Sequence, residues 1–361
     1  MKIGIVTFHN VYNYGGMLQA YALCQFLNRD GNNCVCIDYR QPALTAKYSH
    51  RFWDVRKSII QNVKHLVAYY LLKRDFHKEK VFNGFLKSHI PLSSEVNSLG
   101  EFANISKDFD ILVSGSDQLW NPIFTGGALD PVYFLETSEK ARKFAYASSA
   151  GAYQYKDAEL NQIKSYLLNY ERIAVREEFL KDQLDSVHND VSVVIDPTLL
   201  LNRDRWSEIR QPIDGLPAKY VLLYTFDNNL DSIKIAKKVS LSLGIPVVSL
   251  FRVKSDVKVD YTLDSLSPQQ FIELVNNADF VVTNSFHGTA FAVNFSKDFF
   301  SIYKKSNPHR VINLLKRLGL TDRVVKGVDE LPNSEKWSID YGLAQKALEE
   351  QREFASVFLK F

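Results

Sequence analysis

Short apolar runs alternate with longer stretches of helical spacing along almost the whole chain. KIGIVTF reads as a strand, and NVYNYGG after it as a turn-rich loop. MLQAYALCQFLNRDG carries apolar residues three and four apart up to Gly31, a residue suited to ending a helix. NCVCIDY then returns as a second strand. The alternation continues with FDILVSGSD (109–117), FAYASSAG (144–151), ERIAVRE (171–177) and VSVVIDPTLL, where Pro197 follows the strand. After the polar stretch 202–219 a second series begins. It comprises YVLLYTF, a helix over 229–243, IPVVSLF, a helix in SPQQFIELVNNA, DFVVTNS, DFFSIY and a helix in HRVINLLKRLGL. Such alternation predicts parallel sheets with helices on their faces. The predicted architecture is α/β in two halves, residues 1–200 and 201–338. An amphipathic helix within 339–361 can pack on either half.

One stretch departs from this rhythm. Between Lys47 and Lys87 there are ten Lys or Arg and three acids, and the inserted segment as a whole spans about 47–90. Ile59, Val63, Leu66, Val67 and Tyr70 form an apolar helical stripe within it, with Arg56, Lys57 and Lys64 mostly off the stripe. Two readings stay open: peripheral contact with an anionic membrane surface, or a helical pair packed on its own domain with a solvated basic face.

The length of 361 residues suits two domains, and the 46% apolar and 24% charged fractions are those of a soluble globular chain. A net charge of +3 argues against a dedicated nucleic-acid binder. The first residues lack a long apolar stretch and a small-residue cleavage site, and no run approaches the ~20 residues that span a bilayer. A cytoplasmic protein is expected. Cys24, Cys34 and Cys36 are too few for a structural zinc site and read as buried reduced thiols. No metal site is expected.

Ligands of open α/β sheets gather at the carboxyl ends of the strands, and here nearly every such loop is rich in Gly, Ser, Asn or Asp. The first carries Asn13, Gly15 and Gly16, whose glycines permit close backbone approach. The loop after residues 109–113 carries Ser114, Gly115, Ser116 and Asp117. Arg176 follows ERIAV. Asn284, Ser285, His287 and Gly288 follow DFVVT and open a helix whose unpaired N–H groups suit an anion. Lys304 and Lys305 follow the next strand, and Arg310 starts the helix after it. Each has a plainer reading: glycines for turn geometry, Asp117 as a turn cap, Arg176 in a surface ion pair, and His287 as a stray imidazole. Taken together, a histidine able to act as a general acid and a guanidinium fork at a cationic end suit an anionic small molecule.

HNVYNYGGMLQAYAL, GSDQLWN, YASSAG, AVREE, IDPTLLL, TNSFHGTAFAVNF and RVINLLKRLGL occur in an order that resembles the polysaccharide pyruvyl transferases. The resemblance runs from residue 3 to about 320. It implies a GT-B-like fold, with two facing Rossmann-like domains and an interdomain cleft. It also implies phosphoenolpyruvate as donor, a sugar hydroxyl on a glycan (commonly lipid-linked) as acceptor, a pyruvate ketal as product, and no redox or metal cofactor. On that resemblance His287 contacts phosphoenolpyruvate and supplies a proton, and Arg176 holds its phosphate or carboxylate. Asp117, with Asn13, Gly15 and Gly16, faces the acceptor, where Asp117 is a candidate base. The alternatives are a nucleotide-sugar glycosyltransferase on the same fold and a non-catalytic glycan-binding or assembly protein. If the insertion does meet a membrane, a charge-reduced variant of residues 47–87 binds anionic liposomes more weakly, and salt weakens the parent likewise. Equal binding by the two proteins removes the membrane reading.

Overall fold

The computed structural model describes residues 1–48, 58, 74–136, 141–188, 190–226, 229–252, 258–303 and 309–361, with the side chains of 47, 48 and 74–76 left aside. The apolar stripe 59–70 of the insertion, Lys304 and Lys305 lie outside the described residues.

The apolar runs become the central strands of two parallel sheets. In the first half these are β1 (Lys2–Val6), β2 (Asn33–Tyr39), β3 (Leu92–Val96), β4 (Ile111–Ser114), β5 (Arg142–Ser148), β6 (Tyr170–Val175) and β7 (Val191–Val193). They form a seven-stranded sheet ordered β3-β2-β1-β4-β5-β6-β7. The second sheet takes β8 (Val221–Tyr224), β9 (Val247–Ser249), β10 (Tyr261–Thr262), β11 (Phe280–Thr283), β12 (Asp298–Ile302) and β13 (Val324–Val325), ordered β10-β9-β8-β11-β12-β13. All pairings are parallel. Strands β3, β10 and β13 are additions to the sequence reading. They lie at or next to the sheet edges, where burial on both faces is incomplete and no continuous apolar run is needed.

Strand order reverses between β1 and β4 in the first sheet and between β8 and β11 in the second. At such a switch point neighbouring loops leave in opposite directions and open a crevice beyond the carboxyl ends. The two crevices face each other across a cleft of about 620 Å³ lined from both halves.

Helix α1 (Tyr14–Leu27) forms the joint between the halves. The two glycines placed in a loop by sequence instead belong to its first turn, because the Asn13 side chain caps the helix by accepting from the Gly16 N–H at 2.6 Å. It ends at Leu27, and Gly31 sits just beyond at φ +77°. Every residue of α1 except Gln25 is buried, as expected of a helix apolar all round. Tyr14 stacks on Phe271 of the second half at 4.5 Å and donates to the Leu266 carbonyl at 3.0 Å. Tyr21 meets Trp206 at 5.6 Å. One apolar core therefore runs through both halves. The described end of the basic insertion, a helix over Arg74–His89, buries Phe82, Phe85 and Leu86 in the same core. A C-terminal helix, Gly342–Phe358, packs on both halves: Arg352 donates to the Leu199 carbonyl and the Asn294 side chain, while Phe361 lies 4.7 Å from Phe144 of β5. All three cysteines are free and buried.

His9, just past β1, is almost wholly buried, with both ring nitrogens facing acceptors: Nδ1 donates to the Thr7 carbonyl at 3.0 Å and Nε2 to Asp38 at 2.8 Å. Two acceptors require the doubly protonated ring. Burial opposes that charge, but neighbouring Cys36 and Asp38 outweigh it and push the His9 pKa up to about 10. A raised folded-state pKa stabilises fully below the unfolded value near 6.5 and loses that contribution as pH rises through about 10. The stability advantage of the parent over His9→Gln in urea unfolding is therefore expected to shrink between pH 6.5 and 10. A constant gap would show that His9 is not charged.

Candidate functional site

Arg176 and His287 each stand just past the end of a strand. Arg176 follows β6, fixed by its own N–H donating to the Ser148 carbonyl at 3.1 Å. Its side chain is 2% exposed and surrounded by carboxylates: Nη1 to Asp196 at 2.7 Å, Nε to Glu177 at 3.3 Å, and Nη2 to Asp117 at 3.7 Å. The surface ion pair considered from sequence is thus a buried network. Burial alone would lower the Arg176 pKa, but Glu177, Asp196 and Asp117 raise it, and the guanidinium stays charged. Asp117 adopts φ +79°, a costly backbone conformation for an aspartate, and accepts from the Gln118 N–H at 2.9 Å.

From the second half, helix α10 (Phe286–Asn294, numbering the helices over 42–48, 74–89, 99–105, 157–167, 178–184, 203–207, 230–243 and 268–277 as α2 to α9) begins directly after β11. Ser285 caps it, accepting from the Gly288 N–H at 3.3 Å. Gly288 is required by contact: a Cβ there would fall 2.3 Å from Thr283 Oγ1 and 2.7 Å from the Tyr224 ring. The next residue back, His287, reaches Asp196 with Nε2 at 3.6 Å. Asp196 therefore touches a group from each half. It also accepts from the Thr198 N–H and hydroxyl at 2.9 and 2.8 Å and from Ser116 at 3.2 Å. Burial would raise its pKa, but His287, Arg176 and the Thr198 N–H together hold it well below the usual carboxylate range. Phe286 lies between two guanidiniums, Arg176 at 5.0 Å and Arg310 at 5.4 Å from the ring centre, so its π face draws both cations to one wall. Burial raises the pKa of Glu177, against the pull of Arg176 and Arg310; the carboxylate accepts from Ser149 at 2.6 Å. Burial and the nearby Arg176 charge lower that of Arg310.

The arrangement sets His287 and Arg310 along the cleft, with Arg176 and the acids Glu177 and Asp196 buried behind them. Arg176 Nη2 and His287 Nε2 are buried without a hydrogen-bond partner among the described residues. Asn13, Gly15, Asp117, Asn284, Ser285, His287 and Arg310 all line the cleft.

A model of the polysaccharide pyruvyl transferase family matches residues 13–306. The chain belongs to this family. No curated protein matches the chain. Among solved structures, the transferase is similar to the UDP-GlcNAc 2-epimerase of Neisseria meningitidis bound to UDP-GlcNAc, with 11% identity and TM-score 0.52, covering 100% of this chain and 93% of that one. It is likewise similar to the UDP-N-acetylglucosamine 2-epimerase of Rickettsia bellii, with 11% identity, TM-score 0.51, and 98% and 88% of the two chains covered. At this identity the likeness is one of fold: two Rossmann-like units of parallel sheet, as the resemblance in sequence implied.

Several residues of the transferase expected to bind substrate lie behind the cleft wall. Ser114 is buried, donating to the Tyr133 carbonyl at 2.7 Å and accepting from Trp120 at 3.2 Å. Gly115 is packed on Thr7, Ile5 and Leu23. Ser116 serves Asp196 rather than a ligand. Gly16 faces Val11 within its own segment. The small polar residues that suggested a ligand loop instead seat that loop on β1 and on Asp196. Asn284 borders the cleft, but its amide is spent on Phe226, accepting from the N–H and donating to the carbonyl, both at 2.8 Å. Asp196 and Glu177 were missed as site residues. Their signal was an acid directly after a strand in IDPT and AVREE, which reads equally well as a strand stop.

Asn284→Ala leaves the Phe226 N–H without its partner, while the Phe226 carbonyl keeps the Thr225 hydroxyl at 3.3 Å. We expect a loss of roughly 1–3 kcal/mol in urea unfolding; an unchanged midpoint would mean that water replaces the amide.

Proposed function

We propose that the transferase moves the pyruvyl group of phosphoenolpyruvate onto two hydroxyls of a sugar in a polysaccharide precursor, forming a cyclic ketal and releasing phosphate. The observation that carries this reading is the meeting at one cleft of His287, whose Nε2 makes no hydrogen bond among the described residues, with Arg310, while the buried Arg176 guanidinium lies behind them against Phe286. A small polyanion with a phosphate and a carboxylate suits such a site, because guanidinium forks bind both groups.

His287 gives a proton to the methylene carbon of the enol, leaving the adjacent carbon electrophilic. The first sugar hydroxyl adds to that carbon, and phosphate leaves with cleavage of its carbon–oxygen bond. The second hydroxyl adds to close the ketal. Of the two hydroxyl protons, one replaces that given by His287 and the other leaves on phosphate. Arg176 offsets charge on the leaving phosphate. Asp117 takes the proton of an incoming hydroxyl. Its side chain is partly exposed in the cleft and borders Arg176. A lipid-linked acceptor fits a cleft whose rim carries Ile123 at 70% exposure, Phe124 and Phe226. Among the described residues no helix is long and apolar enough to cross a membrane, so such an acceptor would be met at the membrane surface.

Phosphate release from phosphoenolpyruvate with a panel of glycan acceptors tests the reading. His287→Ala is expected to lose on the order of a hundredfold in kcat. Arg176→Lys, which keeps a charge against Asp196 and Glu177, raises KM for phosphoenolpyruvate. Near-normal turnover in both folded variants would refute the assignment, and binding of a nucleoside diphosphate in place of phosphoenolpyruvate would favour a glycosyltransferase.

A further inference from the structure

Helix α1 opens with Tyr14-Gly15-Gly16, although glycine is the poorest helix former after proline and alanine would do better. Gly15 has no left-handed backbone angle that would demand glycine. What demands it is space in the other half of the molecule. A methyl group built on Gly15 would lie 1.9 Å from His287 Nδ1 and 2.4 Å from both Cγ and Cε1. All three are ring atoms, so the α1 backbone rests directly against the imidazole. The ring is held on other sides as well. Phe286 packs edge-to-face at 5.1 Å, and Asp196 stands 3.6 Å from Nε2. With a side-chain exposure of 11%, the imidazole has little room to turn elsewhere.

We propose that Gly15 is a positioning residue for His287: its missing side chain is the slot that seats the imidazole against Asp196. This gives the glycine another task than close approach to a ligand, and it makes the placement of His287 depend on the first half being docked. Gly16 differs. Its added Cβ would meet Val11 Cγ2 at 2.5 Å and the Asn13 side chain at 3.1 Å, all within its own segment. It therefore serves as an internal control.

The test is a double-mutant cycle on Tm, with kinetics alongside. Gly15→Ala is expected to lower Tm in the parent but to leave it unchanged or raise it in a His287→Ala background, where the slot is empty and helix propensity favours alanine. Gly16→Ala is expected to lower Tm equally in both backgrounds. In the parent, Gly15→Ala also displaces the ring, and turnover with phosphoenolpyruvate falls in kcat by tenfold or more (~1 Å of misplacement costs about a hundredfold). An equal Tm change for Gly15→Ala in both backgrounds overturns the proposal, as does near-parental kcat in that variant. The kinetic arm rests on the function proposed above. The thermal arm does not, so a parent inactive with phosphoenolpyruvate would refute that function and leave the Tm cycle to decide the slot.

Discussion

Asp196 is the point on which both halves of the site depend. A carboxylate with no exposure is stable as an anion only if its surroundings repay the lost hydration, and here the repayment comes from Arg176 on one side, His287 on the other, and the Thr198 and Ser116 donors behind. Arg176 and His287 follow strands of two sheets that share no strand. Their common partner sits on the segment that leaves the first sheet for the second, so the junction of the chain is also the electrostatic centre of the cleft. Removing Arg176 leaves Asp196 a buried charge without its shortest ion pair.

The same physics explains why opposite charges outnumber what a simple anion-binding pocket would need. Asp117, Glu177 and Asp196 surround one buried guanidinium, and its Nη2 makes no hydrogen bond among the described residues. The carboxylates hold the fork in a fixed plane, and Phe286 keeps Arg310 on the same wall. On the proposed function, such fixed donors would reduce the rotamer entropy lost when the anion binds.

Much of this was legible in sequence. Buried parallel strands write themselves as continuous apolar runs, which is why β1, β4, β6, β8 and β11 and the loops after them could be placed, and with them Arg176 and His287. Edge strands such as β10 bury little and left no comparable trace. The polar stretch 114–116 misled because a serine that seats a backbone and a serine that touches a ligand are the same letter; only the positions of Tyr133, Trp120 and Asp196 distinguish them. Asp196 was hidden for a related reason. Its partners are 20 and 91 residues away along the chain, and no local pattern records such a meeting. The role of Gly15 was further from reach, since it is defined by an atom that is absent.

The C-terminal helix has a consequence for how the chain is made. Phe144 and Tyr146 on β5 are covered by Phe361 and Phe358, and Leu199 is bound by Arg352. During synthesis the first sheet emerges long before these residues exist. One of its faces must therefore stay uncovered, as a wet apolar surface, until the second half has been made. Nascent chains of this design carry a period of vulnerability to self-association that ends only when the last helix docks.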